Sequence, residues 1–498
     1  MLCYNIIHKR IAVVNCLPSC YFLHGTLMKS EGDFMLFSRK DLFRIIAPLM
    51  LQQVLTVSVG MIDSMMVSSA GEAAVSGVSL VTTLDLLLIY IFMSLATGGA
   101  VVVSQALGRG DTVYARNAAK QLVYAVTIVA TFVTAVVVAF RIPMLDALFG
   151  DAEAIVMQSA RDYFLYAALS FPFLALYDGI AALFRAMGNS MVSLKISIII
   201  NLINIAGNAV LIYGFHLGAA GAAIATLFAR AVGALIMLIL IHNKRLKVYV
   251  DKILRYRPDW RVIKSILRIG VPNGVENGMF QFGKLMTQSL ISSLGTVSIA
   301  ANAVASSMAS LQYVPGNAIN GAAVPIIGQC IGAGEKKQAK KYSVIILGIA
   351  YVTLFAVVLF MSAFAGPIIS LYGLAEESSS LARQLIIYHG ICAVVIWPIA
   401  FCTPNIFRAA SDVRFTLITS ATSMWVFRVA LGYVMALETV SVFGLFSFGG
   451  LGLGVMGVWV AMTVDWVFRT VLYLVHYLRG KWLNKYDTPI YKSSNCSR

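Results

Sequence analysis

The sequence predicts an all-α integral membrane protein, with twelve transmembrane helices in two parallel six-helix bundles related by a pseudo-two-fold axis along the membrane normal. Three observations predict it. Of 498 residues, 59% are hydrophobic and 12% charged, against about 25% charged in an average soluble chain; the mean hydropathy is +0.83. Twelve stretches are long and apolar enough to cross a bilayer core, which needs about 20 residues per helix. Finally, the chain repeats short motifs at an offset of 223–224 residues. A single soluble core does not grow to this size. A membrane barrel would show alternating strands of about ten residues, and none appear.

The apolar stretches lie at approximately 45–69, 77–104, 117–140, 160–183, 192–214, 219–241, 268–293, 300–328, 342–364, 383–406, 415–436 and 453–478. The second carries Gly98 and Gly99, which in a membrane helix permit close packing or a bend. The expected division is an N-terminal extension over 1–40, a first lobe over 41–242, a basic linker over 243–267, a second lobe over 268–480 and a tail over 481–498. In the extension, Lys9 and Arg10 precede an apolar run, Ile11–Leu23, too short to span. It reads as a loose amphipathic segment, or as an over-called start with Met28 or Met35 as the true one.

Lys and Arg in the loops set the orientation. Lys244, Arg245, Lys247, Lys252, Arg255, Arg257, Arg261, Lys264 and Arg268 follow the sixth stretch. The loops with Arg109, Arg116 and Lys120, and with Lys336, Lys337, Lys340 and Lys341, fall on the same side, as does the tail with Arg479, Lys481 and Lys485. Alternate loops hold Glu72, Asp146, Asp151, Glu153, Glu376, Glu377 and Glu438. Both termini are therefore expected in the cytoplasm of a plasma (inner) membrane protein. The net charge of +16 is a topology signal, and no nucleic acid partner is expected.

The repeat organises the chain. Ser104-Gln105-Ala106-Leu107-Gly108-Arg109-Gly110-Asp111 returns as Gly328-Gln329-Cys330-Ile331-Gly332-Ala333-Gly334-Glu335. Pro48 returns as Pro272, Gly71 as Gly295, and Phe184-Arg185-Ala186 as Phe407-Arg408-Ala409. Six helices per repeat is an even number, so both halves enter from one side and are parallel. Two such bundles can rock about a central cleft and give alternating access.

A charge near the bilayer centre costs at least about 2.5–3.5 kcal/mol on insertion scales, so each buried ionisable residue needs a reason. The first lobe offers Asp63, Asp85, Asp178 and Arg230; the second offers Glu276, Lys284, His389, Arg428 and Asp465. Asp63 has no cation three or four residues away. Desolvation disfavours the ionised form of such a carboxylate, which suits proton exchange; ligation of Na⁺ is also open to it. The competing reading is a kink cap, or a pair with Arg230. Asn201, Asn204 and Asn208 share one face of the fifth helix, either as interhelical glue or as amides beside Asp63. Thr226 adds a hydroxyl.

Glu276, Phe280 and Lys284 share a face of the seventh helix, with Gln281 alongside. Glu276 and Lys284 are two turns apart, about 12 Å, too far for a direct bridge. Arg428 and Asp465 are expected either as a structural pair or as mobile, substrate-facing charges, and His389 as a packed histidine. Gln52, Tyr163, Glu276, Gln281, Lys284, Arg428 and Asp465 form the candidate substrate cavity. The seven Cys (Cys3, Cys16, Cys20, Cys330, Cys392, Cys402 and Cys496) show no metal-type spacing and no disulfide framework. No nucleotide loop or catalytic motif appears, so transport is expected to run on an ion gradient, with no enzyme activity and no cofactor.

Over residues ~40–485 the sequence resembles the multidrug and toxic compound extrusion (MATE) transporters, within the wider superfamily that includes lipid-linked oligosaccharide flippases. The resemblance rests on Pro48-x-x-x-Gln52-Gln53 with Asp63 and Gly71, on Ser104-Gln105-x-x-Gly108-x-Gly110, and on Phe184-Arg185-Ala186-Met187-Gly188-Asn189. It also rests on Gly221-Ala222-Ala223-Ile224-Ala225-Thr226 and Gly328-Gln329-x-x-Gly332-Ala333-Gly334. Gly270-Val271-Pro272-Asn273-Gly274-Val275-Glu276-Asn277 is similar to a bacterial branch. The resemblance implies export of amphipathic, often cationic, compounds in exchange for H⁺ or Na⁺, by a monomer whose partners are small molecules and the lipid bilayer. It implies an ion site at Asp63, Asn204, Asn208 and Thr226. Asn208 stands where the family has a second acid, which removes a negative charge and favours H⁺ over Na⁺. The alternatives are a lipid-linked precursor flippase, which would want more than Arg230, Lys284 and Arg428 for a pyrophosphate, and a non-transporting receptor or channel.

Overall fold

The computed structural model describes residues 35–150, 152–251, 257–370, 372–442 and 446–487. Most of the predicted N-terminal extension and the end of the tail lie outside the described residues. Chain contacts separate Met1–Ser38 from Arg39–Arg498. In the first, residues 35–38 form a bend; the second is the helical body.

Its twelve spans are α1 (Arg39–Ser68), α2 (Glu72–Gly108), α3 (Thr112–Phe149), α4 (Ala154–Ala186), α5 (Ser190–Gly214), α6 (Gly218–Ile241), α7 (Trp260–Ser292), α8 (Thr296–Gln312 with Val314–Gly332), α9 (Lys336–Ala363), α10 (Glu376–Ala409), α11 (Val413–Ala436) and α12 (Gly454–Arg479). Ten of them hold an uninterrupted apolar stretch long enough to cross a membrane. The other two depart for local reasons. α7 carries Asn273, Glu276, Asn277, Gln281, Lys284 and Gln288 along its length. α8 is interrupted at Tyr313, where Pro315 has no N–H to continue the ladder. α5 and α11, the fifth spans of their repeats, each relax into a π-helical stretch, Ala209–Gly214 and Ser423–Ala430.

The helices exceed the apolar stretches that predicted them, because hydropathy marks only the part that lipid covers. α7 begins at Trp260, inside the predicted basic linker. Asp259 caps it, its carboxylate accepting from the amides of Arg261 at 3.1 Å and Val262 at 3.4 Å. Among the described residues one short hairpin interrupts the helical body: β1 (Thr439–Val442) pairs antiparallel with β2 (Phe446–Gly449) between α11 and α12.

The repeat is visible in the backbone. Gly71 and Gly295 open α2 and α8 with φ of +103° and +91°. Gly110 and Gly334 turn the chain after them, both at +78°, a region that only glycine occupies without strain. In the first bundle α4 packs against α2, α3 and α6, and α5 packs against α1 and α6; in the second, α10 contacts both segments of α8, α9 and α12. The bundles meet where α2 crosses α7 and where the second segment of α8 packs on α1 and α2. A Cβ at Gly98 would lie 2.6 Å from the carbonyl oxygen of Ile266, so Gly98 serves close approach of the bundles rather than a bend.

Candidate functional site

Two clusters of membrane-depth polar residues form, one in each bundle. In the first, Asp63 projects from α1 towards α5 and α6. Asn208 Nδ2 donates to Asp63 Oδ1 at 2.8 Å. The Asn204 amide, oriented to satisfy its hydrogen bonds, donates to both Asp63 oxygens at 2.9 and 3.1 Å and accepts from Thr226 Oγ1 at 3.0 Å. Asn204 and Asn208 are 5% and 1% exposed, so the carboxylate is held by two buried amides rather than by a cation. Arg230 instead donates to Ser170 Oγ at 2.6 Å, while its charge acts across space on Asp63, Asp85 and Asp178. Tyr163 lies in the field of Asp63, Asp85 and Arg230. Gln52 is half-buried on α1, and its Oε1 has no partner among the described residues; the carboxyl Oδ1 of Asp85 is likewise unpartnered.

In the second bundle, Glu276 and Asp465 each take an arginine. Arg408 Nη2 reaches Glu276 at 2.7 Å, and Ser420 Oγ donates to Glu276 Oε1 at 2.7 Å. Asp465 is fully buried and is met by Arg469 Nε at 2.8 Å and by Ser423 Oγ. Arg428, its expected partner, forms a longer ion pair, Nη1 to Asp465 Oδ2 at 3.7 Å, beyond hydrogen-bond reach. Sequence reasoning missed Arg469 and read Arg408 only as a repeat motif. The spacing Asp465 to Arg469 is one helical turn and could have been seen; Arg408 reaches Glu276 only through the packing of α10 against α7.

Glu276 and Asp465 therefore lie behind the expected cavity wall, committed to buried pairs. The cavity itself measures about 430 Å³ and is bordered by Gln281, Lys284, Asn302, Tyr313, Arg428 and Trp459, with Tyr90 of α2 opposite. Of the predicted residues, the structure brings Gln281, Lys284 and Arg428 together here. Gln52 and Tyr163 belong to the other bundle. His389 is packed, as expected of it: its Nδ1 meets Gln312 Oε1 at 2.7 Å and its Nε2 meets the Tyr313 hydroxyl at 2.5 Å. No group of three or more His, Cys, Asp or Glu gathers for a metal among the described residues.

Comparison with known proteins agrees with this architecture. The MatE family model matches twice, over residues 48–210 and 272–434, the second match displaced by 224 residues at both ends. The chain is 26% identical over 458 residues to "Probable multidrug resistance protein NorM" of Thermotoga maritima, covering 89% of this chain and 93% of that protein. It is 25% identical to "Uncharacterized transporter YisQ" of Bacillus subtilis, covering 93% and 98%. Its fold matches a multidrug resistance MATE family transporter solved in an outward-facing conformation, with a TM-score of 0.80 at 20% identity, covering 89% and 96%.

Proposed function

The chain belongs to the MatE family, and from that premise we propose that it is a secondary active multidrug exporter of the plasma membrane, exchanging amphipathic compounds for protons. The observation that carries this reading is the Asp63 cluster: one ionisable carboxylate at membrane depth, faced by the N–H groups of Asn204 and Asn208. Those amides suit an anionic carboxylate. They offer a cation few oxygens beyond Asp63 and Thr226, which supports H⁺ over Na⁺.

Protonation of Asp63 changes that cluster directly. A proton on Oδ2 removes the Asn204 contact at 3.1 Å and leaves Oδ1 a weaker, neutral acceptor for both amides, which loosens the hold of α5 on α1. A local change of one proton thereby biases the packing of two helices, as alternating access requires. The Lys- and Arg-rich ends of α2 and α8 approach across the bundles where Gly108 abuts Gln329 and Gly332 abuts Gln105, and the two glutamines donate to the ends of α10 and α4. With that end and both termini placed in the cytoplasm by the positive-inside rule, this conformation is closed inwards. The exporter is read as acting as a monomer.

The test is proton-driven efflux in everted vesicles. Asp63→Asn is expected to abolish coupling; unchanged proton-driven efflux would remove Asp63 from that role.

A further inference from the structure

The second-bundle cavity is cationic. Its border holds Lys284 and Arg428 and no acidic residue. The acids nearest in chemistry are already taken: Glu276 by Arg408 at 2.7 Å, and Asp465 by Arg469 at 2.8 Å. Arg428 keeps only a long ion pair, Nη1 to Asp465 Oδ2 at 3.7 Å, and its Nε has no hydrogen-bond partner among the described residues. Lys284 forms no ion pair among the described residues; its ammonium sits 5.4 Å from the Phe280 ring centre, with the Arg428 and Arg469 guanidinium carbons each at 5.5 Å. One aromatic ring thus gathers three cations, while two carboxylates serve the whole second-bundle cluster of Lys284, Arg408, Arg428 and Arg469.

Four cations sharing two carboxylates at membrane depth are expensive, and two of them, Lys284 and Arg428, border a cavity of about 430 Å³, within the usual range for a small organic ligand. We propose that this cavity is a binding site for the anionic headgroup of an amphipathic compound, a carboxylate or phosphate. Lys284 and Arg428 are its charge partners, and Tyr313, Gln281 and Asn302 its polar neighbours. Trp459 and Tyr90 present apolar faces for the rest of the ligand. Trp459 is held in place by its Nε1 donating to Asn302 Oδ1 at 3.0 Å. This rests on the exporter reading only in taking the cavity as a substrate site, and it departs from the cationic preference that family resemblance implies.

The experiment compares two xanthene dyes of similar body and opposite charge, fluorescein (anionic) and rhodamine 6G (cationic). Equilibrium binding is measured on the full chain in phosphatidylcholine nanodiscs. Fluorescein is expected to bind, with affinity falling about tenfold or more in Lys284→Gln, recovering in Lys284→Arg, and falling likewise in Arg428→Gln. Rhodamine 6G binding should not weaken in Lys284→Gln. Tighter binding of rhodamine 6G than fluorescein to the unaltered protein overturns the proposal. So does fluorescein binding indifferent to Lys284→Gln in protein of unchanged thermal midpoint. Displacement of fluorescein by added phosphatidylglycerol would assign the anion to a lipid headgroup; no displacement would assign it to a free solute. Gradient-driven rhodamine 6G efflux without fluorescein binding would overturn the anion site and leave the exporter standing. Fluorescein binding without gradient-driven movement of either dye would do the reverse.

Discussion

Gly332 stands where an added Cβ would lie 2.0 Å from the main-chain oxygen of Gln105. Its repeat counterpart Gly108 meets the main-chain oxygen of Gln329 in the same way, at 2.1 Å. The two glutamines complete the contact: Gln105 Nε2 donates to the carbonyl of Ala409 and Gln329 Nε2 to that of Ala186, each at 2.8 Å. The motif that reveals the repeat is thus the motif by which the two halves touch.

Gly332→Ala should prevent this closure, because the obstacle is backbone and cannot swing aside. Overpacking of this kind costs about 1–3 kcal/mol, enough to shift a two-state equilibrium about 5–150-fold. Distances between spin labels at the Lys- and Arg-rich ends of α2 and α8 should lengthen. An unchanged distance distribution would show that the contact does not limit the conformation.

Gln105→Ala removes bonds to Ala409 O at 2.8 Å and Ser411 Oγ at 3.0 Å without adding bulk. At about 0.5–1.5 kcal/mol per net hydrogen bond, the two bonds together should shift the equilibrium in the same direction and by a comparable amount. The same spin-label measurement checks it.

Asn208→Asp would place a second carboxylate beside Asp63, where the amide now donates at 2.8 Å. Two acids sharing a site bind a cation far better than one acid and one amide donor. Efflux should depend more on Na⁺ at fixed pH than that of the parent; an unaltered ion dependence would count against the proposed role of residue 208.

Asp465→Ala strands Arg469 and Arg428 in a buried site, since Asp465 is fully buried and binds Arg469 at 2.8 Å. Breaking such a pair costs about 3–5 kcal/mol. The thermal midpoint in detergent should fall by several degrees, and the paired replacement Asp465→Leu with Arg469→Met should recover much of the loss.

Gly98→Ala should destabilise by about 1–3 kcal/mol, because its Cβ would meet Ile266 O at 2.6 Å across the bundle contact. Gly60→Ala is the control on α1: nothing lies within 4 Å of a Cβ there, so helix propensity should make it neutral or stabilising by up to about 1 kcal/mol. Thermal unfolding of the two variants distinguishes a packing role from a bend.

Features that are local or repeated along the chain were legible before any packing was known. Twelve apolar stretches, the 224-residue offset and the conspicuous isolation of Asp63 are properties of neighbours along the chain, and hydropathy reads them directly. Even Asp465–Arg469 was within reach, as a pair one turn apart. Partner choice between helices was not. That Asn208 and not Arg230 binds Asp63, that Arg408 rather than a cavity faces Glu276, and that Lys284 and Arg428 meet at one cavity depend on how helices cross. A hydrophobic period says which face of a helix avoids water, but every buried face avoids it alike. Only the tertiary packing decides which opposing side chain arrives within 3 Å to neutralise a charge, and which charges remain for a ligand.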